Sequence, residues 1–185
     1  MLKLNDNPPL TWPDTRIRNF NGTWMVAYCK SRNEKALAWD MVHKKISYFL
    51  PMSLNVHKRN RKTVRTLLPL FLGYVFFCGD EPQRLEVLRT NRVVNIIKVQ
   101  DQAQLVQELE AIEKALIASF ALQSWQQFGK DCSNIIADSL DAQGQIVHIK
   151  GKTYLVLPVS VLGLTTSIEI TSCGEKQIDM SYARI

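Results

Sequence analysis

The sequence predicts an α+β protein, with an antiparallel sheet flanked by helices over most of its length and a small β-barrel at its end. Three observations lead there. Short apolar blocks, "TWMVAYCK", "YFLPMSLNV", "PLFLGYVFF" and "VVNIIKV", have the length of strands, and segments of helical spacing lie among them. Beyond Gln123 the periodicity shortens into strands broken by Gly144, Gly151, Gly163 and Gly174, the pattern of a small barrel. A length of 185 residues suits one medium domain and one small one.

Taken in order, residues 1–22 carry Pro8, Pro9, Pro13 and Gly22 and read as an irregular leader. "TWMVAYCK" is a buried strand. "SRNEKALAWDMVHKK" is a helix capped by Ser31 or Asn33, with Leu37 and Met41 on one row and Ala38 and Val42 on the next. A short strand from Ile46 to Pro51 leads into a β-hairpin whose tip, "HKRNRKTVR", is basic. In "PLFLGYVFF", Pro69–Phe77, strand alternation places Phe71, Gly73, Val75 and Phe77 on one face and Leu70, Leu72, Tyr74 and Phe76 on the other. Both faces are apolar, so the strand is either covered twice or offers one face to a partner. "GDEPQRLEVLR" starts a helix at Asp80 with Pro82 in its first turn, and "VVNIIKV" is a further strand. Asp101 opens a helix with Leu105, Leu109, Ile112 and Leu116 at helical spacing. The boundaries that follow are a domain over 23–120, a linker over 121–131 and a barrel over 132–185.

Composition is that of a soluble globular protein, and no apolar run reaches the roughly eighteen residues of a membrane helix. The start "MLKLNDNPPLTWPD" has no signal-peptide apolar region, so the expected location is cytoplasmic, with no membrane partner. Cys29, Cys78, Cys132 and Cys173 lie far apart without a C-x-x-C pair, and His43, His57 and His148 are equally scattered. Four reduced thiols, no metal, no cofactor and no enzyme activity are the expectations. Charge is uneven: residues 1–100 hold 17 Lys/Arg against 7 Asp/Glu, and residues 101–185 hold 6 against 10. Lys58, Arg59, Arg61, Lys62 and Arg65 crowd the hairpin tip. A solvated charged face is the plainer alternative there, but five mutually repelling cations would be relieved by a polyanion.

"WMVAYCKS", the helix from Asn33, "YFLPM", the basic hairpin and "PLFLGYVFF" together resemble, in order and spacing, the N-terminal (NGN) domain of NusG-type transcription elongation factors. "VSVLGLTTSIEI" is similar to the last strands of the KOW barrel that follows in that family, an SH3-like β-barrel. Within the family, "WMVAYCK", "LPM" and "PLF" look closest to the specialised RfaH-like antitermination paralogues. Two departures stand out: Leu72 where the family usually has proline, and Asp138-Ser139 where the barrel usually has Gly-Pro ahead of Gly144.

The resemblance implies a non-enzymatic transcription elongation or antitermination factor that grips the clamp helices of the largest subunit of RNA polymerase. Carried onto matching positions, it gives a docking surface of Tyr28, Phe71, Leu72, Tyr74 and Phe76. Lys30 and Arg32 would face the non-template DNA of the elongation complex, and Lys58, Arg59, Arg61 and Lys62 would reach DNA or polymerase across the cleft. In the barrel, the turn Val161, Leu162, Gly163 and Leu164 would recruit a small-subunit ribosomal protein or Rho, with local packing of its leucines as the plainer alternative. The β-branched "GQIVHI" and "VSV" with Pro158 favour a barrel over a helical hairpin for this tail. A different class, an RNA-binding protein with an RRM-like domain, is suggested by "GYVFF" and the basic charge, but Leu72 and Gly79 stand where that pattern wants a cation and a ring.

Overall fold

Strand β2 (Thr23–Cys29) shows why the first apolar block is continuous. Its pleat sends Trp24 and Val26 into one hydrophobic cluster and Met25, Ala27 and Cys29 into another. A strand covered on both faces needs no polar alternation. These positions belong to a computed structural model that describes residues 6–13, 16–59, 62–125, 144–149 and 152–170. The five-stranded sheet has the order β1-β3-β6-β2-β7, formed by β1 (Thr11–Trp12), β3 (Ser47–Phe49), β6 (Tyr74–Gly79), β2 and β7 (Val93–Lys98), all neighbours antiparallel. Helices α1 (Glu34–His43) and α2 (Glu81–Arg89) cover the Met25 face through Leu37, Ala38, Met41 and Val87. Helix α3 (Gln102–Trp125) covers the Trp24 face with Leu105, Leu109, Ile112 and Leu116, the four residues its spacing singled out. The side-chain amide of Gln102 locks its start to the sheet, accepting from the Trp24 N–H (2.8 Å) and donating to the Trp24 carbonyl (3.0 Å).

The segment Pro69–Phe77 is not one strand. Strand β5 (Lys62–Pro69) ends at the proline, Leu70–Gly73 turn, and β6 begins at Tyr74. Phe71 therefore joins Phe76 on the α3 side of the sheet, not Val75 and Phe77, which lie on the other. Strand β4 (Met52–Arg59) pairs with β5 from Met52↔Pro69 to Arg59↔Lys62, forming the expected hairpin as a separate two-stranded ribbon.

The leader is less irregular than its prolines suggest. Its strand β1 extends the sheet, the Pro9 carbonyl accepts from the Tyr48 hydroxyl (2.9 Å), and Arg18 makes a bidentate pair with Glu110 of α3 (3.0 and 2.7 Å). At the other end, α3 continues through Ala121–Trp125 into the stretch expected to be linker.

Strands β8 (Gln145–Ile149), β9 (Lys152–Val159) and β10 (Leu164–Ile170) form an antiparallel sheet of order β10-β9-β8, so this part of the tail is β-structure. The remaining strands of a five-strand barrel, and most of the linker, would fall outside the described residues. Leu155, Leu157, Val159 and Ile168 pack into the same cluster as α3. Three strands alone cannot bury their own apolar face, and α3 supplies its cover. The buried Glu108 fixes the contact: its carboxylate accepts from the Ser160 N–H (3.0 Å) and the Ser160 hydroxyl, while Gln104 Nε2 donates to Ser160 Oγ (3.0 Å). Among the described residues no helix is long and apolar enough to cross a membrane.

Candidate functional site

The turn between β5 and β6 builds the site. The Tyr74 N–H donates to the Phe71 carbonyl (3.2 Å) and Gly73 has φ of +85°, which fits the third position of a type II turn. Leu72 occupies the second position, where the side chain is thrown outward, and it remains 75% exposed. Two further bonds hold the turn: the Cys29 N–H donates to the Gly73 carbonyl (2.7 Å), and the Gly73 N–H donates to Glu34 Oε1 (2.7 Å). Glycine suits this position because an L residue would be forced to positive φ, and a Cβ would also stand 3.3 Å from the ring of Tyr28, which would have to shift by a few tenths of an ångström.

Tyr28 thus lies across Gly73, 41% exposed, with its ring centroid 5.2 Å from that of its cross-strand partner Tyr74. Leu72, Tyr28 and Tyr74 form an apolar ledge at one end of the central strands. Phe71 and Phe76 do not belong to its exposed surface. They meet edge to face at 5.6 Å and are 3% and 0% exposed, within the cluster that includes α3 and the C-terminal strands. Expecting all five residues at the surface overlooked α3, which takes the face that strand alternation left apolar.

Beside the ledge, Lys30 follows β2 and Arg32 sits in the loop before α1, both exposed. Lys30 Nζ donates to Asn91 Oδ1 (3.0 Å), and the Lys30 N–H donates to the Arg92 carbonyl (2.8 Å). Arg92 in turn donates to Asp40 (2.5 Å) and to Asn33 Oδ1 (3.1 Å), which ties this loop to α1 and explains why Asn33 does not cap the helix with its own side chain. Lys58, Arg59 and Lys62 lie on the distal rungs of the hairpin, and Arg61 falls outside the described residues. The turn in the C-terminal sheet is not fully open: Val161 and Leu162 pack against the α3 cluster, while Gly163, at φ of +60°, and Leu164 are exposed.

Cys132 and Cys173 fall outside the described residues, and the two described thiols, Cys29 and Cys78, are free and buried. Burial pushes Cys29 up to about 12, with the nearby Glu34 adding to the shift, and Cys78 up to about 11, so both stay protonated near neutral pH. Among the described residues no group of three or more His, Cys, Asp or Glu could hold a metal ion. Sequence reasoning missed Glu34 and Glu108. An acid opening a helix is ordinarily read as a partner of the helix dipole, and nothing local reveals that Glu34 reaches a turn 39 residues away.

An exposed apolar ledge, with Lys30 and Arg32 beside it, thus lies on a sheet covered by helices on both faces, and β4 and β5 form a separate ribbon. A family model described as "Transcription termination factor nusG" matches residues 22–115, just over half of the chain. The chain belongs to the NusG family, non-enzymatic transcription factors of elongation and termination that generally partner RNA polymerase. A search of curated proteins returned no match.

Proposed function

We propose that this chain is an elongation and antitermination factor that docks on the clamp helices of the largest subunit of RNA polymerase through Leu72, Tyr28 and Tyr74. The observation that carries this reading is the ledge itself. A leucine left 75% exposed on a turn held by three hydrogen bonds presents preorganised apolar area, with no ordering needed on binding. Phe71 and Phe76 serve the same site from beneath, as the packed floor under Tyr74. Lys30 and Arg32 face the non-template strand, and the hairpin with Lys58, Arg59, Arg61 and Lys62 reaches across the cleft, so the domain bridges both sides and favours the closed clamp. The exposed Gly163–Leu164 end of the C-terminal turn, with Val161 and Leu162 behind it, is the site for a ribosomal protein or Rho.

The RRM-like alternative is disfavoured by burial. Base stacking needs rings open on the sheet, and Phe76 and Phe77 are both fully buried. Binding of purified polymerase to the wild-type chain and to Tyr74→Ala, each at rising salt, tests the proposal. Weaker binding by the variant and a salt-dependent affinity for the elongation complex support it. Equal affinity of the two folded proteins would dismiss the ledge, and salt-independent binding would dismiss the nucleic-acid contacts.

A further inference from the structure

Glu34 makes an unusual commitment for the first residue of a surface helix. Its side chain is turned inward, the residue is 6% exposed, and Oε1 accepts from the Gly73 N–H at 2.7 Å. The Gly73 carbonyl is held from the other side by the Cys29 N–H, so Glu34 and Cys29 grip both polar groups of one residue. That residue supports the Tyr28 ring and follows Leu72 directly. We infer that Glu34 is a positioning residue for the docking ledge: it acts through the Gly73 amide, without touching the partner, to fix where Leu72 and Tyr28 are presented. The inference deepens the proposed docking function and rests on that reading for its consequence in binding.

Two roles compete for the same carboxylate. If Glu34 served mainly as a negative charge at the start of α1, charge would matter and reach would not. If it holds the turn, an acceptor oxygen at the right reach is required and charge is secondary. Two conservative substitutions separate these. Glu34→Gln keeps the reach and an acceptor oxygen but removes the charge. Glu34→Asp keeps the charge but is one methylene short of Gly73.

The experiment follows hydrogen exchange at the Gly73 amide in the full chain for wild type, E34Q, E34D and E34A, with the amides of α1 and β6 as internal references. Wild-type-like protection of Gly73 in E34Q is expected. In E34D and E34A, exchange should be selectively faster by roughly tenfold, the equivalent of one lost hydrogen bond. The reverse order, with E34D protected and E34Q not, would overturn the inference in favour of the charge role. Acceleration spread evenly over α1, β6 and Gly73, or an unchanged Gly73 in E34A, would overturn it as well.

Affinity for purified polymerase is measured on the same four proteins, with Tyr74→Ala alongside. Weaker binding by E34D and E34A, restored in E34Q, supports the inference at the level of function. If Tyr74→Ala weakens binding while E34A does not, the ledge docks without help from Glu34 and the inference fails. If Tyr74→Ala also binds normally, the docking reading is what fails, and the exchange data still decide whether Glu34 holds the turn.

Discussion

Replacing Leu72 by alanine isolates docking from folding. In the free chain 75% of this residue is in solvent, so the fold barely uses its side chain, and stability should change by no more than about 0.5 kcal/mol. Complete burial of a leucine side chain is worth about 1.5–3 kcal/mol. Covering the three quarters that remains exposed would therefore contribute about 1–2 kcal/mol to a complex, and its loss would weaken binding roughly 5- to 30-fold. Calorimetric or interferometric titration of the purified chain against core polymerase, with thermal melts of each variant, reads both quantities. Leu85→Ala is the control, because Leu85 is 42% exposed on α2, which covers the opposite face of the sheet. A Leu72→Ala chain that binds as wild type, or a Leu85→Ala chain that loses as much, would refute the reasoning.

Phe76→Ala empties a site that is 0% exposed in the cluster beneath α3, so it should cost on the order of 3–5 kcal/mol of stability, read as a lowered denaturation midpoint; a well-folded variant impaired only in binding would contradict its assignment to the core. Glu108→Ala removes the acceptor for both the Ser160 N–H and the Ser160 hydroxyl, and should raise proteolytic sensitivity and amide exchange around Val159–Leu162 before the central sheet is affected; unchanged protection there would show that apolar contact alone holds the C-terminal sheet on α3. Glu113 has its carboxyl pushed up, first by burial, and a folded value above the unfolded one means that ionisation opposes the fold. This cost is absent below the unfolded carboxyl value and complete above the folded one, so Glu113→Gln should raise Tm at neutral pH and lose that advantage as the solution is acidified through both values; a gain that persists in acid would contradict the sign.

The sequence revealed elements wherever one periodicity ruled. Leu105, Leu109, Ile112 and Leu116 pointed to one face of α3, and "YFLPMSLNV" and "TLLPLF" around a basic tip announced the hairpin. The site was legible as a list of residues and not as a surface. Strand alternation across Pro69–Phe77 misplaced Phe71 because a type II turn at Leu72-Gly73 resets the register, and the glycine that signals this turn is compatible with several others. The docking of β9 and β10 on α3 could not be read either: Glu108 and Ser160 are 52 residues apart, and each looks like an ordinary surface residue in its own segment. Long-range partners of buried polar groups leave no local trace in a sequence.

A photo-crosslinking amino acid placed at position 72 tests the central claim most directly, since the 75% exposure of Leu72 lets the probe be carried without disturbing the fold. With purified RNA polymerase the account predicts a crosslink that maps to the clamp helices of the largest subunit and disappears when Tyr74 is also replaced by alanine. A chain that binds polymerase while position 72 crosslinks to another subunit, or to nothing, would contradict it.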